Sequence, residues 1–150
     1  MAEQGTPEMG HVGLNVTDLD RSRRFYESAL GLDTIGESQA DGRRFAFLGS
    51  GGRIVLTLWQ QSDGGFDAGR PGLHHLAFQV QSVEDVRRAE ARLRELGARF
   101  LYDGVVAHRE GASSGGVFFA DPDGIRLEIY APAGVGAHAP SGDAPACGFF

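Results

Sequence analysis

His11-Val-Gly-Leu-Asn-Val16 and, 64 residues later, His75-Leu-Ala-Phe-Gln-Val80 begin two copies of one pattern in this chain. Both stretches alternate apolar side chains with polar or small ones, which is typical of a strand with one buried face. A helical segment follows in each copy and ends at a glycine, Gly31 in the first and Gly97 in the second. An internal repeat of this kind predicts a fold made of two similar modules.

The helical segments are predicted from their caps and from their apolar periodicity. In the second copy Ser82 is a natural N-cap, and Asp85 three residues later forms something close to a capping box. In the first copy Asp18 or Asp20 is the expected cap, and Gly31 supplies a left-handed C-terminal residue. Steps of three and four residues connect the apolar positions of the second helix, which are Val83, Val86, Ala89, Leu93 and Leu96.

Strand-like runs follow each predicted helix, so the chain reads as β-α-β-β-β written twice. The fold class is therefore α+β, with two βαβββ modules. We expect strands near residues 33–39, 42–48 and 53–60 in the first half, and near 99–107, 115–120 and 124–131 in the second.

One domain is expected over residues 8–132, with modules at about 8–60 and 73–132 and a linker at 61–72. The segment 133–150 is rich in Ala, Pro and Gly and is predicted to be a flexible C-terminal tail. A length of 150 residues matches one typical domain.

Composition narrows the classes of protein to which the chain can belong. Its net charge is −6, so non-specific binding to nucleic acid phosphates is not expected. No apolar run reaches the roughly 18 residues of a membrane span, and the N-terminus lacks the features of a signal peptide. Cys147 is the single cysteine, which excludes an internal disulfide and a cysteine-rich zinc site. A cytoplasmic protein without membrane or nucleic-acid partners is predicted.

Strand alternation places three metal-ligating side chains on one face of the predicted sheets. His11, His75 and Glu128 each lie opposite the apolar face of their strand, whereas His74 falls on the apolar side. A single histidine on a strand is more often structural, but here two histidines occupy equivalent repeat positions. Two histidines and a carboxylate form the ligand set of non-haem Fe(II), and Mn, Ni, Zn or Co also accept it.

At these residues the sequence resembles the vicinal oxygen chelate superfamily, which includes glyoxalase I, bleomycin and fosfomycin resistance proteins, and extradiol dioxygenases. The resemblance covers about residues 8–132. The stretches that carry it are His11-Val-Gly-Leu-Asn-Val16, Arg24-Phe-Tyr-Glu27 with Leu30-Gly-Leu32, His75-Leu-Ala-Phe78, and Phe119-Ala-Asp-Pro-Asp-Gly-Ile-Arg-Leu-Glu128.

The resemblance implies that the mixed sheets of the two modules curve around a cavity. It also implies one divalent metal ion inside that cavity, held by His11, His75 and Glu128, with Fe(II) favoured. In this superfamily the metal binds vicinal oxygens of a small molecule and stabilises developing negative charge, or activates O₂. The implied partner is a small-molecule substrate or a drug. Many members are dimers, so a homodimer is expected.

Departures from the family patterns distinguish the possible reactions. Glyoxalase I has a fourth ligand, a Glu, at the position of Val55 or Leu56, and neither of these residues can ligate a metal. Extradiol enzymes resemble the segment that ends at His108, which stands before the Asp-Pro-Asp-Gly turn and is expected to transfer protons. In those enzymes a Tyr occupies the position of Phe118.

These features favour an Fe(II)-dependent extradiol-type dioxygenase acting on a small oxygenated or aromatic metabolite, with His108 and Glu128 as its catalytic residues. One alternative is a glyoxalase-like lyase or isomerase, or a fosfomycin-type transferase, with the same three ligands. Another is a drug-binding protein of the bleomycin-resistance kind, without catalysis. The residues predicted to line the substrate pocket are Asn15, Val55, Thr57, Trp59, Phe118 and Tyr130.

Overall fold

The computed structural model describes residues 5–140 and 142–149, and these fall into two compact units. The first unit contains the chain up to Glu27 and Gly31–Asp63. The second contains Ser28–Leu30 and the chain from Gly64 onward. The division between the units falls next to residues 61–72, where the sequence predicts the linker.

The first unit is built on a four-stranded sheet with the strand order β1-β4-β3-β2. Strands β1 and β4 are parallel, and the other neighbours are antiparallel. Asp18 caps the helix because its side chain accepts a hydrogen bond from Arg21 N at 3.0 Å. The elements of this half are β1 (Val12–Val16), α1 (Leu19–Leu30), β2 (Asp33–Ser38), β3 (Phe45–Ser50) and β4 (Arg53–Gln60).

The second unit repeats this topology, with the strand order β5-β9-β8-β6 and a short strand, β7, paired to β8. Strands β5 and β9 are parallel, as β1 and β4 are. The predicted repeat and the α+β fold class are therefore confirmed. The elements of this half are β5 (Leu76–Gln79), α2 (Val83–Glu95), β6 (Arg99–Phe100), β7 (Val106–Ala107), β8 (Gly115–Ala120) and β9 (Arg126–Ala131).

The strand predicted at 99–107 is instead two short strands, β6 and β7. Gly104 interrupts the run with a φ of 69°, in the left-handed region that favours glycine. The chain therefore turns between the two strands. The second of these strands, β7, is followed directly by the loop that carries His108.

Both helices are short and bury one face. Ser82 caps α2 as predicted, since its side-chain oxygen accepts a hydrogen bond from Asp85 N at 3.2 Å. Val86, Ala89 and Leu93 are buried, whereas Leu96, at the C-cap, is 42% exposed. Within the described part of the chain, no helix has the length and apolar character needed to cross a membrane.

The segment that the sequence predicts as a flexible tail packs on the second unit over its described residues. Ala107 N donates a hydrogen bond to His138 O at 3.1 Å, and Ala146 N donates one to His108 O at 2.7 Å. Ala146 is fully buried against Val106 and Phe118. Small side chains, which suggested disorder in the sequence, allow this segment to lie close to the sheet.

Glycine at position 116 allows β8 and β9 to approach each other, so a side chain there should be costly. A Cβ on Gly116 would stand 2.0 Å from Ile129 O and 2.6 Å from the Tyr130 Cα. Both neighbours are backbone atoms of β9, the strand that carries Glu128. We expect Gly116→Ala to lower the free energy of unfolding by about 3 kcal/mol, as overpacking of a tight site does.

Urea unfolding would measure this effect, and Gly136→Ala is the matched control because a Cβ there meets nothing within 4 Å. The control should unfold at the same midpoint as the native chain. An equal midpoint for Gly116→Ala would contradict the close approach of β8 and β9.

Candidate functional site

The centre of the site is the carboxylate of Glu128 on β9, whose side chain is only 3% exposed. Its Oε2 lies 3.9 Å from the Nε2 of His75, and its Oε1 is hydrogen-bonded to the Nε2 of His108. A buried carboxylate is costly without polar or charged partners, and these two imidazoles supply them. The second unit thus brings together three of the residues that the sequence predicts to be functional.

His75 precedes β5 and is held from both sides of its ring. Its Nε2 faces Glu128, while its Nδ1 lies 2.8 Å from the Nδ1 of His74. Burial lowers the pKa of His75 from its usual value, and the charges of His74 and Arg126 act in the same direction, against that of Glu128. A lowered pKa favours the neutral imidazole, the form that binds a metal ion.

The structure contradicts the prediction that His74 points away from His75. Strand alternation applies only within a strand, and β5 begins at Leu76, after both histidines. The two rings can therefore lie next to each other, with their centroids 5.1 Å apart. In this position the Nδ1 of His74 contacts the Nδ1 of His75 and helps to fix the orientation of that ring.

His108 stands at the start of the loop after β7 and is anchored by three further contacts. Its Nδ1 lies 2.8 Å from the Oγ of Ser114, and its backbone N–H donates to Ser114 O at 3.0 Å. Its carbonyl oxygen accepts a hydrogen bond from Ala146 N. The contact between Ser114 and His108 was not predicted from the sequence. A serine just before the Gly115-Gly116 pair was the only available signal, and it is a weak one.

The C-terminal segment also reaches the site, through Cys147. Burial raises the pKa of the Cys147 thiol, and the nearby charge of Glu128 raises it further. A thiol in such surroundings stays protonated and is a poor nucleophile. Cys147 therefore contributes a small apolar group to the packing around Val106 and Phe118.

The predicted metal ligands are only partly brought together. His75 and Glu128 form a pair in the second unit, whereas His11 is an exposed residue of the first unit. Over residues 5–140 and 142–149, no group of three or more His, Cys, Asp or Glu side chains is arranged to hold a metal ion. The donor types nevertheless fit a divalent metal, since an imidazole with a lowered pKa stands beside a buried carboxylate.

Two of the predicted pocket residues lie at the Glu128 site. Phe118 is fully buried and pairs across the strands with Glu128, so both side chains lie on the same face of the sheet. The ring of Tyr130 lies 5.1 Å from that of His108, and its hydroxyl donates a hydrogen bond to Gln79 Oε1 at 3.0 Å. Together they form an aromatic border around the imidazole of His108.

The other predicted pocket residues belong to the first unit. Trp59 Nε1 donates a hydrogen bond to Thr57 Oγ1 at 2.9 Å, and Val55, on the same face of β4, is half-buried. Asn15 Oδ1 accepts a hydrogen bond from Gln61 N at 3.0 Å, so this side chain fixes the start of the linker. Their place in a substrate pocket stays a prediction.

The sequence model of the Glyoxalase/Bleomycin resistance protein/Dioxygenase superfamily matches residues 8–129 of the chain. The chain belongs to this superfamily. The match covers both modules, from the histidine before β1 to the carboxylate on β9. The resemblance drawn from the sequence, and the fold that it implies, are thereby confirmed.

Among the curated relatives are two whose names state a reaction. A trivalent organoarsenical cleaving enzyme of Bacillus sp. (strain MD1) is 30% identical over 120 residues, which cover 80% of this chain and 70% of that protein. A catechol-2,3-dioxygenase of Bacillus subtilis (strain 168) is 27% identical over 126 residues, which cover 82% of this chain. The matched part spans 41% of that dioxygenase.

Solved structures share the fold. A glyoxylase/bleomycin resistance protein/dioxygenase domain from Frankia sp. EAN1pec is 33% identical, with a TM-score of 0.72 over 85% of this chain and 93% of that one. The fosfomycin resistance protein FosX of Listeria monocytogenes, solved with Mn(II) and sulfate, is 22% identical with a TM-score of 0.63. That match covers 85% of this chain and 93% of that one. Its identity is low enough that the likeness concerns the fold alone.

Proposed function

We propose that this protein is a metal-dependent enzyme of the superfamily that acts on a small oxygenated or aromatic molecule, as an extradiol-type dioxygenase. The observation that carries the proposal is the buried carboxylate of Glu128 in contact with His75 and His108. A buried ionisable cluster bordered by aromatic side chains is a common arrangement of small-molecule enzymes. The catechol-2,3-dioxygenase relative supports this reaction class.

In this proposal His75 and Glu128 bind the metal, and His11 is the third ligand. His11 is included because it occupies, in the first repeat, the position that His75 occupies in the second. Fe(II) is the favoured ion, and Mn, Ni, Zn or Co are also compatible with two imidazoles and a carboxylate. When bound, such an ion supplies a Lewis acid that orients vicinal oxygens and stabilises negative charge on them.

The chain's own residues carry the remaining chemistry. Glu128 holds His108 through its Oε1, and Ser114 holds the opposite nitrogen of the ring. Because Nε2–H is donated to the Glu128 carboxylate, Nδ1 is the nitrogen that can accept a proton, and a substrate hydroxyl would reach it by taking the place of the Ser114 hydroxyl. Phe118, which is fully buried, and Tyr130 pack against the His108 ring and keep water from this side of Glu128.

Oxygen consumption tests the proposal. The purified protein is loaded anaerobically with Fe(II) and then given O₂ together with a panel of catechols, while the ultraviolet absorbance of ring-cleaved products is recorded. We expect O₂ uptake in equal proportion to product. Stoichiometric iron binding without O₂ uptake for any catechol would overturn the dioxygenase assignment.

The second candidate is a lyase or transferase that uses the same ligands without O₂. The observation that favours it is the similarity to an organoarsenical cleaving enzyme, which is 30% identical over most of this chain. Turnover of a non-aromatic substrate under anaerobic conditions would support this reading. A protein that binds no divalent metal at all would instead support the drug-binding alternative.

We also propose that the protein forms a homodimer, as the resemblance implies. Multi-angle light scattering across a dilution series should give about twice the 16.0 kDa mass of one chain. A mass of one chain at every concentration would contradict the dimer.

A further inference from the structure

A second feature of the chain is a cavity of about 530 Å³, which lies in the second unit. Its volume falls in the range of small-molecule sites. The lining residues that bear on its chemistry are Phe66, Arg99, Leu101, Tyr102, Arg126 and Phe149. The proposed metal ligands are not among the lining residues.

The cavity carries positive charge. Arg99 and Arg126 are its charged lining residues, and no acidic residue is among the described residues that line it. Both arginines pair with Ala120 of β8, one from β6 and the other from β9, so their side chains leave the same face of the sheet. Two guanidinium groups on one wall favour an anionic occupant.

Arg126 is held in place by two contacts. Its Nε donates a hydrogen bond to His74 O at 3.0 Å, and its guanidinium carbon lies 4.6 Å from the centre of the Phe149 ring. The two terminal nitrogens of the guanidinium form a fork that fits a carboxylate or a phosphate. Arg99 is exposed and adds a second positive charge at the same wall.

Flat aromatic side chains form the rest of the lining. The rings of Tyr102 and Phe149 are nearly parallel, with an interplanar angle of 9° and centroids 5.9 Å apart. The Tyr102 hydroxyl donates a hydrogen bond to Ala146 O at 2.7 Å, which fixes its ring. Phe66, which belongs to the predicted linker at 61–72, lines the same cavity. These surfaces suit a planar, unsaturated ligand body.

We propose that this cavity binds a small aromatic anion, whose carboxylate or phosphate group lies at Arg126 and Arg99 and whose ring packs against Tyr102 and Phe149. Positive charge and aromatic surface in one cavity of this volume select such a molecule over a neutral or cationic one. Arg126 contacts His74, and Phe149 contacts the rings of His74 and His75, so this cavity adjoins the Glu128 site.

Nuclear magnetic resonance titration of the full chain tests this proposal, with benzoate, phenyl phosphate and the neutral benzamide as probes. The protein is treated with a chelator first, so that a bound metal cannot attract the anions. We expect the two anions to shift amide signals around Tyr102, Arg126 and Phe149 at millimolar concentration, and benzamide to bind at least about fivefold more weakly. Comparison of benzoate with phenyl phosphate shows which anionic group the arginines prefer.

Arg99→Gln provides the matching variant, because Arg99 is exposed and its loss should leave the fold intact. We expect benzoate to bind this variant about fivefold or more weakly, as the loss of one charged partner predicts. Arg87→Gln, an exposed arginine of α2, should bind benzoate as the native chain does. Equal binding of benzoate and benzamide, unchanged binding by Arg99→Gln, or no shifts around the cavity would each overturn the proposal.

Discussion

Glu128→Gln is expected to lower the affinity for a divalent metal at least about 100-fold and to remove the metal-dependent activity with it. Loss of a residue that merely supports a metal ligand costs about 10–100-fold, and loss of the only anionic ligand should cost more. The amide keeps the shape of the side chain and can still accept a hydrogen bond from His108. The variant therefore shows whether metal binding depends on the negative charge of Glu128 or only on the packing of its side chain.

Metal content after dialysis against Fe(II), Mn(II) or Zn(II) measures this effect, and thermal unfolding verifies that the variant is folded. Glu110→Gln is the matched control, since that carboxylate is exposed on the loop after His108 and pairs with His138. The control should retain the metal content of the native chain, and His75→Ala should lose it. Native metal content in Glu128→Gln would show that the ion binds elsewhere.

The fold could be predicted from the sequence because short local stretches of each module determine its strands and its helix ends. The run at 53–60 is rich in β-branched and other apolar residues, and it forms β4 with the predicted bounds. Ser82 caps the start of α2, and Gly31 ends α1 in a left-handed conformation. Both preferences hold for helices in general. The repeat then specifies the second module as soon as the first is recognised.

The candidate site could be predicted only in part. The alternation of residues along a strand shows on which face a side chain lies, but not how far it lies from the side chains of other elements. Alternation placed Glu128 on the face that it occupies, opposite the buried Leu127 and Ile129. The same rule was wrong for His74, which lies before the strand begins. No local sequence pattern predicts the contact between Ser114 and His108, because this contact depends on the conformation of the loop between β7 and β8.

For the C-terminal segment, the amino-acid composition predicts a different structure from the one observed. Ala, Pro and Gly in 133–150 predicted a flexible tail, since such residues offer little apolar surface to bury. In the second unit, however, Ala146 packs flat against Phe118, and Phe149 stacks on Tyr102. Small residues can satisfy their backbone hydrogen bonds on an existing sheet, and composition alone does not reveal that surface.

His108→Ala is expected to slow the metal-dependent reaction about 10²–10⁴-fold while the metal content stays at that of the native chain. The reason is the pair of hydrogen bonds that fix the imidazole, one to Glu128 and one to Ser114. With Nε2 held by Glu128, the ring can exchange a proton at Nδ1 with a substrate hydroxyl that takes the place of Ser114, and alanine offers no replacement. His108→Gln retains an N–H toward Glu128 but cannot take up a proton, so it should be as slow as the alanine variant.

Rates at equal metal occupancy decide between proton transfer and a purely positioning role for His108. Recovery of most of the rate by His108→Gln would indicate positioning of Glu128, whereas an equally slow glutamine variant supports proton transfer. His138→Ala is the control, because that imidazole is exposed on the C-terminal segment and should leave the rate unchanged. A loss of metal from His108→Ala would contradict both roles and would identify His108 as a ligand. Ser114→Ala should fall between the native chain and His108→Ala, because it releases one nitrogen of the ring and leaves the contact with Glu128 in place.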